Sequence, residues 1–154
     1  MYDICTIIDR EIFLISRFTQ LLLDEQECLK QATPELLPKI SDQKISLIDE
    51  LNQLEIKRNS LLGQSSTNNK QLAMTNWLTQ NDHQGTATVN WQKLLKMAKE
   101  AKTLHEVNSK LVTLHLSTIS VALAVLNNQE GAKSLYSNKG QAAHLTGSRI
   151  VDSA

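Results

Sequence analysis

Leu104–Leu126 reads LHEVNSKLVTLHLSTISVALAVL and contains neither Gly nor Pro. Leu111, Leu114 and Leu116 fall on different sides of a helix, whereas a surface helix normally carries one apolar stripe a little over 100° wide. This segment is apolar or small around most of its circumference. Either it is buried on all sides, or one face is covered by something outside this chain. Two seams run along it. Leu104, Val107, Leu111, Leu114, Val121 and Val125 form one, and Val112, Ile119, Ala122, Leu123 and Leu126 form the other. One seam is expected to face the rest of the protein. The other is free for a partner, because helices dock in grooves through anchors at i, i+3, i+4 and i+7.

The helix holding this segment is expected to begin near Val89 and Trp91, with Thr86 or Thr88 as its cap, and to run to about Gln129 before Gly131 ends it. Upstream, Ile4, Ile8, Ile12, Ile15, Phe18, Leu22 and Leu29 recur at helical spacing and predict a helix from about residue 2 to 31. Asp9, Arg10, Glu11, Arg17, Asp24, Glu25 and Glu27 are assigned to its solvent side. Thr33 and Pro34 stop it, with Thr33 as a candidate cap, and Pro38 marks where the next helix starts cleanly. Ile40, Leu47, Leu51, Leu54 and Leu61 form the seam of that second helix. Lys44 and Arg58 share it by heptad count, their stems covering apolar surface while their charges reach water. Gly63 and a polar linker follow. A short helix then carries Leu72, Met74, Trp77 and Leu78 across one end of the bundle.

The expected fold is therefore all-α: an elongated antiparallel bundle of three long helices plus one short helix. Residues 1–130 make the bundle and residues 131–154 a flexible C-terminal tail, rich in Gly, Ser, Asn and Lys without periodicity. At 154 residues the chain suits one domain, and five Gly and two Pro are few enough to favour long helices.

Composition excludes several function classes. Sixteen basic and sixteen acidic residues cancel, and aromatic residues make up 4%. Neither a strong field nor a stacking platform for bases is present, so no nucleic-acid partner is expected. The ribbon of Lys93, Lys96, Lys99 and Lys102 reads as a solvated face. Charges at Asp9, Arg10 and Glu11 interrupt any signal-peptide core. Residues 111–128 reach membrane-spanning length, but Thr113, His115, Ser117, Thr118 and Ser120 argue against membrane insertion. Cys5 and Cys28 lie on one predicted helix about 34 Å apart, beyond disulfide reach, and two free thiols suit a reducing cytoplasm.

Catalytic chemistry leaves no trace. The chain has no phosphate-binding glycine loop, dinucleotide fingerprint, nucleophile elbow or zinc-binding His-Glu-x-x-His. His83, His105, His115 and His144 are too scattered to share a metal ion. No enzyme activity, metal or cofactor is expected.

Three stretches carry a resemblance to a known family. Leu21-Leu22 through Glu25, Leu29, Ile40, Lys44, Leu47, Leu51, Leu54 and Arg58 is similar to the first two helices of the FlgN-type flagellar export chaperones, including their short break. Leu104-His105-Glu106-Val107-Asn108-Ser109-Lys110-Leu111-Val112 resembles that family's Leu-Asn-x-x-Asn-Gly-x-Leu-Leu signature, with His105 and Ser109 as departures. Leu135-Tyr136-Ser137-Asn138-Lys139-Gly140-Gln141 resembles its tail motif Leu-Tyr-Gly-x-x-Gly-Gln, with Ser137 as a departure. The resemblance implies a cytoplasmic, non-catalytic chaperone. It would bind hook-associated (hook–filament junction) proteins, prevent their premature assembly and deliver them to the flagellar type III export apparatus. Leu104, Val107, Asn108, Leu111, Leu114, Ile119, Leu123 and Leu126 would bind the client. Leu135, Tyr136, Gly140 and Gln141 would dock on the export gate protein. The competing reading of the same free seam is a helical scaffold without a transport role that forms a homodimer.

Overall fold

The computed structural model describes the backbone of residues 3–63 and 69–146, and the side chains of 3–63, 69–129 and Gly131. All regular structure among these is helical. The elements are α1 (Ile4–Gln31), a 3-10 turn (Pro34–Leu36), α2 (Leu37–Leu61), α3 (Lys70–Asn81) and α4 (Thr86–Thr146). Contacts divide the chain into two compact units, Met1–Leu111 and Val112–Ala154.

The first unit is built around α1. Ala32 ends that helix in the left-handed region at φ 52°, and the Thr33 N–H returns to the Cys28 carbonyl. Thr33 makes no side-chain cap bond, contrary to the sequence expectation. Pro34 opens the 3-10 turn instead, and Pro38 falls in the first turn of α2, where a missing N–H is harmless. α2 then runs back antiparallel to α1. Gly63, at φ 72°, supplies the positive φ that follows its last turn.

α3 closes one end of this unit. Its Met74 and Leu78 join Ile4 and Ile8 of α1 and Ala87 and Leu94 of α4 in one buried cluster, flanked by Trp77 and Trp91. A second cluster joins Ile7 and Leu14 of α1 to Leu54 of α2. The turn into α4 is held by Asp82, whose Oδ2 accepts from the Thr88 N–H (2.7 Å) and the Thr88 hydroxyl (2.6 Å). The helix therefore begins at Thr86, with a carboxylate satisfying donors at its positive end. Asn90 donating to Asp9 and Asn108 donating to Leu22 show that α4 runs parallel to α1. The long helices of this unit go up, down and up.

The helical backbone of α4 passes through Gly131 and continues to Thr146, so Gly131 does not end it as the sequence suggests. A lone glycine in a helix costs only about 1 kcal/mol relative to alanine. Among the described residues, nothing beyond the helix's own backbone and the adjoining residues lies within 4 Å of the position a Cβ would take there.

Candidate functional site

Two charged layers cross the seam between α1 and α2. In the first, Arg58 Nε donates to Glu11 Oε2 at 3.1 Å and Nη2 to Oε1 at 3.2 Å. The side chains are 9% and 5% exposed, and the guanidinium lies 4.8 Å from the Trp91 ring centroid. In the second, Lys44 Nζ donates to Glu25 Oε1 at 2.6 Å. The other oxygen of Glu25 accepts from Asn108 Nδ2 at 2.9 Å, and Nδ2 also donates to the Leu22 carbonyl at 2.8 Å. Each layer thus involves all three long helices.

These layers correct the sequence assignments. Glu11 is buried rather than solvent-facing, Glu25 is largely covered, and the Arg58 charge does not reach water. The signal was present in the spacing. Glu11 and Glu25 continue the alternation of fours and threes through Ile4, Ile8, Ile15, Phe18, Leu22 and Leu29. They are fourteen residues apart, as are Lys44 and Arg58, so an antiparallel register that joins one pair joins both. Burial pushes the Glu11 carboxyl above its ordinary pKa, against the opposing pull of Arg58.

Both layers are structural, because their charged groups are spent on one another and on the Asn108 amide nitrogen. The Cys5 thiol is likewise raised, by burial and then by nearby Asp3, and so is not an activated nucleophile. An open cavity of about 350 Å³ beside it is lined by Asp9, Asp82, His83 and Asn90 among others. No group of three or more His, Cys, Asp or Glu side chains converges on a metal-sized site among the described residues.

The proposed client residues divide sharply. Asn108 is 2% exposed and bonded to α1, so it positions α4 rather than meeting a partner. Its Oδ1 is buried without a hydrogen-bond partner. Leu104 and Leu111 are half-buried. Val107 is exposed and, with Leu104, lines a shallow groove of about 520 Å³ beside Lys96 and Lys99. Every residue from Val112 to Gln129 is exposed. This run includes Leu114 at 62%, Ile119 at 56%, Leu123 at 55% and Leu126 at 56%. Both seams are therefore open here, where one was expected to be covered. Leu135, Tyr136, Gly140 and Gln141 lie on the helical backbone of α4, and their side chains fall outside the described residues.

The exposed run satisfies length and composition for crossing a membrane, with a best window of mean hydropathy 1.6. A helix of a water-soluble protein that packs on a partner satisfies the same test.

Large aliphatic side chains held in water, beside charged groups consumed by packing, define an all-helical protein with an extended exposed apolar surface. The FlgN family model, described as FlgN protein, matches residues 1–144, and the chain belongs to that family. Its members are chaperones of flagellum biogenesis and protein export. No curated protein and no solved structure shows significant similarity to the chain.

Proposed function

We propose that this chain is a cytoplasmic flagellar type III export chaperone that binds hook-associated junction proteins and keeps them from assembling early. The observation that supports this reading is the exposed run of α4. Eight large aliphatic side chains between Val112 and Leu126 stand in water, and no Asp, Glu, Lys or Arg interrupts residues 111–129. Exposed apolar surface of this extent marks an interaction site. A polymerising helical segment offers surface of the same kind, and covering both removes apolar area from water at roughly 25 cal/mol per Å².

Delivery is the second half of the proposal. Leu135, Tyr136, Gly140 and Gln141 match the family's tail motif and are assigned to docking on the export gate protein. The division of labour is testable in one set of proteins. Leu114→Asp and Leu123→Asp should abolish capture of a hook-associated junction protein while helicity is retained. Tyr136→Ala should leave capture intact and reduce gate binding and secretion. Unfolding of both Asp variants would show that the seams are core and overturn the client surface; unchanged secretion by Tyr136→Ala would overturn the tail assignment. A homodimer through the same seam is the competing reading. It predicts a dimer that persists on dilution in light scattering.

A further inference from the structure

The exposed part of α4 has two faces rather than one. With 3.6 residues per turn, Val112, Leu116, Ile119, Leu123 and Leu126 fall within about 80° of arc, while Leu114, Val121 and Val125 fall within about 40° on the opposite side. Thr113, Ser117, Ser120 and Ala124 fill one gap between these stripes; His115, Thr118 and Ala122 fill the other, so that Ala122 leaves the seam to which its spacing assigned it and Leu116 joins that seam. All eight aliphatic side chains are at least 40% exposed.

A single helix laid along one stripe leaves the opposite stripe in water. We infer that the occupant of this segment is a two-helix element of the client, one helix covering Ile119 and Leu123 and the other covering Leu114 and Val121. This rests on the chaperone reading above and specifies the form of its partner.

Four features favour that occupant. The spacing of Val112, Ile119 and Leu126 repeats the seven-residue spacing at which α4 buries Ala87, Leu94 and Ala101 against its own bundle helices. An ordinary amphipathic helix therefore fits it. The lack of charge over 111–129 calls for aliphatic, uncharged partner stripes, since a charge laid there would lose its hydration without a counter-ion. A second copy of this chain is disfavoured by symmetry. A two-fold dimer would pair one stripe and leave the other open, and covering both by self-association requires an assembly larger than a dimer, either a closed tetramer or ring or an open filament. The rows of Ser and Thr between the stripes fit the wetter rims of protein interfaces better than a lipid interior.

The test uses the full chain and, as probe, a full-length hook-associated junction protein. Two variants are made, Ile119→Gln with Leu123→Gln, and Leu114→Gln with Val121→Gln. Affinity is read by titration calorimetry, and contact by the methyl signals of the four wild-type residues. Both variants should keep their helicity, both should bind at least about tenfold more weakly, and methyls of both stripes should shift in the wild-type complex. Loss from one variant alone, with shifts confined to one stripe, would overturn the two-helix occupant and leave the chaperone reading standing. Failure of the wild-type chain to bind the junction protein would overturn both. A persistent dimer of the free chain, or insertion into phosphatidylcholine vesicles, would assign the stripes to another occupant and overturn the inference.

Discussion

Arg58 and Glu11 form a two-bond ion pair inside the protein, with Nε to Oε2 at 3.1 Å, Nη2 to Oε1 at 3.2 Å and the Trp91 ring beneath the guanidinium. Such a pair contributes to register more than to stability, because desolvating two charges costs about what their attraction returns. Breaking it is another matter. Glu11→Ala or Arg58→Ala should destabilise the fold by about 3–5 kcal/mol, whereas Glu11→Leu combined with Arg58→Met should be near neutral or stabilising. Urea denaturation of the three variants checks this. Equal losses in the single and double variants would contradict it.

The Asn108 amide should report on packing and not on partner affinity. Asn108→Ala removes the donor to Leu22 and Glu25 and should cost about 1–3 kcal/mol, since the acceptors left behind are partly shut from water. Asn108→Asp should cost more, because it sets a second carboxylate beside Glu25. Thermal melts rank the variants. Junction-protein affinity, measured well below each midpoint, should change little.

Exposed aliphatic positions should behave in the opposite way. Leu114 and Leu123 are more than half exposed, so Leu114→Asp and Leu123→Asp should shift folding stability by no more than about 0.5 kcal/mol. Chemical denaturation decides the point independently of any binding assay. A loss of several kcal/mol would mean that these side chains are covered in solution.

Acid should expose the Asp82 cap. The bonds from Thr88 hold the Asp82 carboxyl below its ordinary value of 3.8. A group with a lowered folded pKa contributes stability above its unfolded pKa, and that contribution is lost as pH falls through the folded value. The advantage of the wild type over Asp82→Asn should therefore be full at neutral pH and vanish in strong acid. Glu11, with its pKa raised by burial, works the other way: its contribution is greatest below its ordinary 4.5 and declines as pH rises through the folded value. Urea midpoints of wild type and Asp82→Asn across this range separate the two effects.

Much of the architecture was legible from spacing. The bounds of α1, the restart at Pro38, the end of α2 near Gly63 and the short helix around Met74 and Leu78 all follow from periodicity and turn chemistry. The start of α4 was less legible, because Asp82 caps it from outside the helix through the following turn. Gly131 was misread as a terminator because one glycine is a weak breaker when the residues on both sides favour helix.

For the candidate site, the order of residues alone determined that α4 carries two aliphatic seams, since helical phase is a property of spacing. It also held the matching intervals of Glu11, Glu25, Lys44 and Arg58, although charge type alone assigns all four charges to water, whereas the structure largely covers them. Only the tertiary structure decided which faces are covered. Burial depends on which neighbour reaches a given turn: α1 reaches Asn108 and takes its amide, while Val112–Gln129 have no covering helix among the described residues. The same helical pattern therefore yields core where a second helix lies alongside and an open surface where none does.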